Sequence, residues 1–206
     1  MNMAPKLTPS ISKLSAIAVA AMALSFSTAG KAHADESASP AGTADDRQIV
    51  QQVLDLDRSE EQTSKAMKGK LGSAEAWGLA DRIDVDYSAL DREFRSVAGV
   101  APESTDDRTS AAGFDLGSLS KLSGAALDEA YVDREVKAHE AMLRAIDNQL
   151  LPAAKTDEVR RSLIDLRAEA TAHLAQARSV QYAGQVRAME TEERATISKT
   201  IGNDVP

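Results

Sequence analysis

Two glutamate–histidine pairs are the residues of this 206-residue chain whose types and spacing indicate chemistry. Glu135 and His139 stand four positions apart, and so do Glu169 and His173. Residues four apart lie on the same side of an α-helix, so each pair presents a carboxylate and an imidazole together. Facing Glu and His side chains build metal sites in bundle cores, although the usual di-iron spacing is Glu-x-x-His. The pairs therefore leave two interpretations open, a metal site and ordinary ion pairs on helix surfaces.

Four stretches of the sequence have apolar residues at helical spacing, and they predict the elements that carry these pairs. They run over residues 43–70, 73–97, 123–146 and 156–180. Gly99 and Pro102 end the second stretch, and a polar connection over 98–115 and a short turn lead to the third. No stretch alternates with the period of a β-strand. We therefore predict an all-α fold, an antiparallel up-down four-helix bundle.

Polar side chains fall on or beside the apolar stripes of all four predicted helices. An unpaired polar group costs about 1–3 kcal/mol when it is buried, so such residues need partners in the interior. The six candidates are Glu60 on the first helix, Tyr87 on the second, Glu135 and His139 on the third, and Glu169 and His173 on the fourth.

The first 34 residues have the composition of a signal peptide. Lys6 and Lys13 precede an apolar run over residues 16–29, and Ala32-His33-Ala34 fits the small-x-small cleavage rule before Asp35. The run is shorter than the roughly 20 residues that span a bilayer, although an uncleaved anchor is the alternative. We predict a periplasmic protein with no integral membrane segment after cleavage. Its divisions would be a signal peptide (1–34), a linker (35–42), a four-helix domain (43–184) and a polar C-terminal extension (185–206).

The composition of the chain excludes several classes of function. There is no cysteine, so disulfides, thiolate nucleophiles, zinc ribbons and lipid attachment at an amino-terminal cysteine are ruled out. The formal charge of −8 argues against a nucleic-acid partner, because such binders neutralise phosphates with Lys and Arg. No nucleophile–base set and no glycine-rich phosphate loop is present, so we assign no catalytic and no cofactor-binding residues.

The third and fourth helices resemble a known family. The run Leu122-Ser123-Gly124-x-x-Leu127-Asp128-x-x-Tyr131-Val132, followed by His139-Glu140, is similar to the hallmark of uncharacterised exported bacterial proteins with a ferritin-like four-helix domain, often labelled outer membrane proteins. The family has Phe in place of Leu127 and Asp in place of Ala138, and its last helix resembles the stretch over 166–174. The resemblance covers roughly residues 45–183.

The resemblance implies a ferritin-like bundle in which one Glu and three His meet. This chain keeps Glu60, His139 and His173 of that set and has Tyr87 in place of the remaining His. Three His and a carboxylate would suit zinc, copper or iron, whereas two His, a carboxylate and a phenol suit ferric iron or no metal.

Three functions stay open from the sequence. The first is a non-catalytic helical domain of the cell envelope, whose inward polar residues fix helix register. The second is a metal-binding or metal-storing bundle that holds one iron, zinc or copper ion through Glu60, His139 and His173, with Tyr87, Glu135 and Glu169 at or beside the ion. The third is a metal-dependent enzyme, which requires an open coordination position. We favour the first, so we expect no enzymatic activity, and the sequence does not identify an envelope partner.

Overall fold

The structure is a computed structural model that describes residues 44–99 and 116–203. Four long helices make up most of these residues. No strand occurs in these two ranges, so the prediction of an all-α fold is confirmed. The predicted signal peptide and linker and most of the polar connection lie outside the described residues. The long helices are α1 (Ala44–Lys68), α2 (Ala74–Ala98), α3 (Gly124–Ala145) and α4 (Asp157–Asn203); a 3₁₀ turn (Leu119–Lys121) precedes α3, and a π-helical segment (Ile146–Leu150) and a short helix (Leu151–Ala153) follow it.

Local hydrogen bonds fix both ends of α2 where the sequence predicts them. The hydroxyl of Ser73 accepts a hydrogen bond from the amide of Ala76 at 3.2 Å and so caps the first turn. At the other end Gly99 adopts the left-handed conformation with φ of 64°, and its amide donates to the carbonyls of Arg95 and Ser96. Glycine suits this position because a side chain is strained at such a φ.

Two aspartates tie the start of one helix to another helix. The carboxylate of Asp128, in the first turns of α3, accepts hydrogen bonds from the amides of Gly72 and Ser73 at 2.8 and 2.7 Å. The carboxylate of Asp46, near the start of α1, accepts from two amides directly before α4 at 2.8 and 3.2 Å. The first-turn amides of a helix lack partners within the helix, so carboxylates are well placed there.

The contacts between side chains show that α1 and α2 are antiparallel. Lys68, at the end of α1, donates to Asp81 near the start of α2. Glu61, earlier in α1, accepts from Ser88, later in α2. The helices α3 and α4 are antiparallel by the same test, with contacts of Asp133 with Gln181 and of Glu140 with Arg178.

The helices α2 and α3 run in the same direction. Ser73, which precedes α2, contacts Asp128 early in α3, and Tyr87 in the middle of α2 contacts His139 further along α3. A simple up-down order requires consecutive helices to be antiparallel, so that part of the fold prediction is not confirmed.

The apolar stripes of the four helices meet in one core. The helical spacing of Ile49, Val53, Leu56 and Met67 predicts that all four face inward. Leu56 is the exception, because it is 37% exposed while Asp57 beside it is buried. The inward face of α1 therefore passes through Asp57, Glu60 and Ser64, and half of it is polar. The largest fully buried apolar and aromatic side chains are Tyr87, Tyr131, Phe94, Leu54, Met67, Leu79, Ile83, Leu127, Ile146, Leu163 and Leu166.

The helix α4 extends well past the core. It remains helical to Asn203, and its residues 187–200 are exposed, which matches the polar composition of this part of the sequence. In the part of the chain described, none of the helices combines the length and the apolar character that crossing a membrane requires.

Candidate functional site

Arg134 of α3 holds two of the predicted site residues in an ion-pair network. Its guanidinium contacts both carboxylate oxygens of Glu60 on α1, at 2.9 and 3.1 Å, and one oxygen of Glu135 at 2.6 Å. The side chains of Glu60 and Glu135 are 8% and 0% exposed, and that of Arg134 is 23% exposed. A bidentate arginine–carboxylate pair has a demanding geometry, so this contact fixes α1 against α3.

The charges in this network determine which groups are ionised. Burial opposes ionisation of Glu60, but the charge and hydrogen bonds of Arg134 outweigh it and lower the pKa of Glu60. Burial, followed by the negative charge of Glu60, raises the pKa of Glu135 well above its usual value. Burial also opposes the charge on Arg134, yet the two glutamates raise its pKa further above the ordinary range. The network therefore favours the ionised form of the Glu60–Arg134 pair and opposes ionisation of Glu135 beside it.

Tyr87 and His139 form a hydrogen bond between α2 and α3. The Nδ1 atom of His139 lies 2.8 Å from the carbonyl of Glu135, and because a carbonyl only accepts, Nδ1 carries the proton. Burial lowers the pKa of His139, so the ring is neutral and its Nε2 is an acceptor. The Tyr87 hydroxyl, 3.2 Å from Nε2 and 3.2 Å from the sulfur of Met142, is the donor.

A second contact of this kind joins α1 and α3. The hydroxyls of Ser64 and Tyr131 lie 3.1 Å apart and both residues are fully buried. The Ser64–Tyr131 contact lies about one helical turn from the Glu60–Arg134 pair on both helices. Polar contacts thus connect α3 to both α1 and α2.

His173 belongs to a separate group of polar residues between α2 and α4. Its Nε2 atom lies 2.9 Å from the carboxylate of Asp86, and its Nδ1 has no hydrogen-bond partner among the described residues. Burial lowers the pKa of His173, while the hydrogen bond with Asp86 raises it by less. Glu169 lies one turn earlier on α4, and Arg82 approaches both Asp86 and Glu169, at 3.1 and 3.7 Å.

The structure places five of the six predicted site residues in the interior and the sixth at its edge. Glu60, Tyr87, Glu135, His139 and His173 are buried, and the side chain of Glu169 is 39% exposed. His139 lies 3.6 Å from a carboxylate oxygen of Glu135, whereas Glu60 is held by Arg134.

The two histidine rings nevertheless lie side by side. The ring centroids of His139 and His173 are 5.3 Å apart, in an edge-to-face arrangement, and that of Tyr87 lies 6.0 and 5.3 Å from them. Within residues 44–99 and 116–203, one group of three metal-ligating residues has its ligand atoms close together, and it consists of Asp86, Glu169 and His173.

The sequence analysis missed three residues of the polar core. Arg134 follows Tyr131 by three positions, and Asp86 follows Ile83 by three. This spacing places each of them on the same face of its helix as a buried residue, which could have indicated an inward position. Asp57 was missed because the spacing of apolar residues in α1 places its neighbour Leu56 on the inward face.

Some buried polar atoms of the described residues have no hydrogen-bond partner: one oxygen of Glu135, the Nδ1 atom of His173 and both oxygens of Asp57. Asp57 has the largest share of them. It is 1% exposed, and neither carboxylate oxygen has a hydrogen-bond partner among the described residues. Burial, followed by the charges of Asp91, Glu60 and Glu61, raises the pKa of Asp57 well above its usual value.

Comparison with known proteins gives one match. A family model with the description "Domain of unknown function (DUF4142)" matches residues 31–180. The comparisons with curated proteins and with solved structures give no match. The matched range contains all six predicted site residues and ends before the exposed continuation of α4.

Proposed function

The chain belongs to this family of unknown function, and we propose that it is a non-catalytic helical-bundle protein of the bacterial cell envelope. Its buried polar residues set the positions of the helices relative to one another. The observation that carries this proposal is the buried Glu60–Arg134 ion pair, which joins α1 to α3.

The polar contacts support a structural role because each of them depends on helix register. A shift of one helix by one turn, about 5.4 Å, would separate Glu60 from Arg134 and leave the buried charge of Glu60 without its partner. Breaking a buried pair costs about 3–5 kcal/mol, whereas sliding an apolar stripe costs less because it finds new apolar neighbours. The Tyr87–His139 hydrogen bond restricts α2 against α3 in the same way.

The same contacts weigh against chemistry in the core. Arg134 engages Glu60 and Glu135, the two carboxylates that a core metal site would use. Burial and nearby negative charges raise the pKa of Tyr87 well above 10, which opposes the phenolate form that ligates metals. Tyr87, Glu135 and His139 are each 0% exposed, so a substrate has no direct access to them.

The helix directions favour a ferritin-like arrangement. Two antiparallel pairs, α1 with α2 and α3 with α4, combine with the parallel pair α2 and α3. Bundles of this kind need one long connection, and by sequence length the segment between α2 and α3 is longer than those between α1 and α2 and between α3 and α4. We propose this topology for the family domain.

We also propose export to the periplasm, on the basis of the signal-peptide features of residues 1–34. Amino-terminal sequencing of protein from a periplasmic fraction should give a chain that starts at Asp35. A chain recovered only with membranes, with its first 34 residues intact, would contradict this proposal.

The structural role is tested by replacing the ion-pair network with apolar residues of similar size. We expect the triple variant Glu60→Leu/Arg134→Met/Glu135→Leu to keep its helix content in far-UV circular dichroism. Its amide NMR spectrum should lose dispersion, because an all-apolar face no longer distinguishes one register from another. A spectrum as sharp and dispersed as that of the wild type would refute the proposed role.

A further inference from the structure

The group formed by Asp86, Glu169 and His173 has the donors of a metal site. One ligand atom from each residue lies within 4.8 Å of the other two, and the residues come from two helices, α2 and α4. Glu169 and His173 share one face of α4 because they stand four residues apart. An imidazole nitrogen and two carboxylate oxygens are the ligands of divalent transition metals of borderline softness, such as Zn²⁺.

The burial of the three residues suits an ion that enters from solvent. The side chain of His173 is 0% exposed, whereas those of Asp86 and Glu169 are 26% and 39% exposed. The group therefore has a buried nitrogen at its base and carboxylates at its opening, where water can complete the coordination shell.

His173 points its one hydrogen-bonding contact into this group. Its Nε2 faces Asp86 at 2.9 Å, while Nδ1 has no hydrogen-bond partner in the described part of the chain. Buried polar groups are normally hydrogen-bonded, and this fully buried imidazole makes its hydrogen-bonding contact to a carboxylate of the group, so its Nε2 already faces a second metal-ligating atom.

The distances require only a small movement to accept zinc. Ligand bonds of about 2.1 Å in a tetrahedron place neighbouring ligand atoms about 3.4 Å apart. The atoms of this group already lie within 4.8 Å of one another, and the flexible side chain of Glu169 can close the difference.

Arg82 holds the carboxylates in the absence of a metal ion. Its Nε lies 3.1 Å from Asp86 and its Nη2 lies 3.7 Å from Glu169, and its side chain is 51% exposed. Ion pairs at such exposed positions are weak, so the guanidinium can leave for solvent when a divalent ion arrives.

We propose that Asp86, Glu169 and His173 form a binding site for one divalent transition-metal ion, with Arg82 as the cation that the metal displaces. The bound ion would link α2 to α4, whereas the Glu60–Arg134 pair joins α1 to α3. This site is independent of the proposed register role of the ion-pair network, which involves α1 and α3.

The test is a Zn²⁺ titration of the full chain after chelator treatment, read by competition with a chromophoric chelator. We expect one Zn²⁺ per chain, with affinity at least tenfold weaker in Glu169→Gln and in His173→Gln. Asp147→Asn is the matched control, because Asp147 pairs with Arg167 and has a similarly exposed side chain (42%), yet it lies outside the group. Its affinity should equal that of the wild type.

The variant Arg82→Gln gives the sharpest result. Removing a competing cation should tighten Zn²⁺ binding several-fold, whereas a site that needs the arginine for structure would weaken. Because His173 is buried, its replacement risks unfolding, and the exposed Glu169→Gln then carries the test alone. The proposal is overturned if no stoichiometric Zn²⁺ binds, if Glu169→Gln and Asp147→Asn behave alike, or if Glu60→Gln removes the binding while Glu169→Gln does not.

Discussion

Replacing Arg134 with methionine should destabilise the protein far more than replacing an exposed arginine with the same geometry. Methionine keeps most of the length of the side chain but leaves Glu60, which is 8% exposed, as a buried charge without its partner. Breaking a buried pair costs about 3–5 kcal/mol. For a domain of this size, 1 kcal/mol corresponds to about 2–4 °C, so the melting temperature should fall by about 6–20 °C.

Arg167→Met is the control for this prediction. Arg167 also contacts both oxygens of a carboxylate, that of Asp147, at 2.7 and 3.3 Å, but the two side chains are 48% and 42% exposed. Exposed pairs contribute about 0–1 kcal/mol, so this variant should lose at most a few degrees. Thermal unfolding followed by circular dichroism measures the melting temperature of both variants, and urea unfolding measures their free energy of unfolding.

The variant Glu60→Gln/Arg134→Met separates a lost charge partner from lost packing. Burial and the charge of Glu60 oppose ionisation of Glu135, so Glu60 carries the charge that Arg134→Met leaves alone, and neutralising it should recover about 2 kcal/mol or more. The reasoning is refuted if Arg134→Met and Arg167→Met cost the same, or if the double variant is less stable than Arg134→Met.

Two further variants test other carboxylates, that of the buried Asp57 and that of the half-buried Asp128. Because burial raises the pKa of Asp57, the folded state prefers the neutral carboxyl group. The stability of the fold is therefore fully present below the unfolded pKa of about 3.9, and it falls as rising pH ionises the buried group. Asp57→Asn should therefore be more stable than the wild type by about 1–2 kcal/mol at pH 7, with a difference that vanishes near pH 4 in urea unfolding; a difference that is constant with pH would contradict the assignment. Asp128→Ala removes the acceptor of two amides before α2 and should cost about 1–2 kcal/mol, with faster hydrogen exchange at Gly72 and Ser73; protection of both amides as in the wild type would show that the contact is dispensable.

The four helices and the ends of α2 could be predicted from the sequence because the responsible signals are local, whereas α4 continues well past the predicted stretch over 156–180. Ser73 and Gly99 mark the ends of α2 by their own chemistry, and apolar residues at helical spacing identify each inward face. The inward positions of the candidate polar residues follow from the same periodicity. On α1 the predicted stripe differs from the structure at Leu56, which is exposed, while the neighbouring Asp57 is buried.

The partners of those residues could not be predicted, because they depend on which helices are adjacent and in which direction they run. Arg134 acquires its role from Glu60 on another helix, and the periodicity of α3 alone contains no information about α1. Asp86 joins His173 only because α2 packs against α4. The direction of α3 was equally open, since a connection as long as residues 98–115 permits either a parallel or an antiparallel pair.

The protonation state of the His139 ring, with and without Zn²⁺, tests most directly whether the polar groups of the core hydrogen-bond to one another or coordinate a metal ion. The measurement is a long-range ¹⁵N–¹H correlation spectrum of the imidazoles before and after one equivalent of Zn²⁺. We expect His139 to be neutral and protonated on Nδ1 in both spectra, because the backbone carbonyl of Glu135 accepts from Nδ1 and the hydroxyl of Tyr87 donates to Nε2. A coordination shift of its Nε2 on addition of Zn²⁺, or a proton on Nε2 in the metal-free protein, would contradict the structural role of this core.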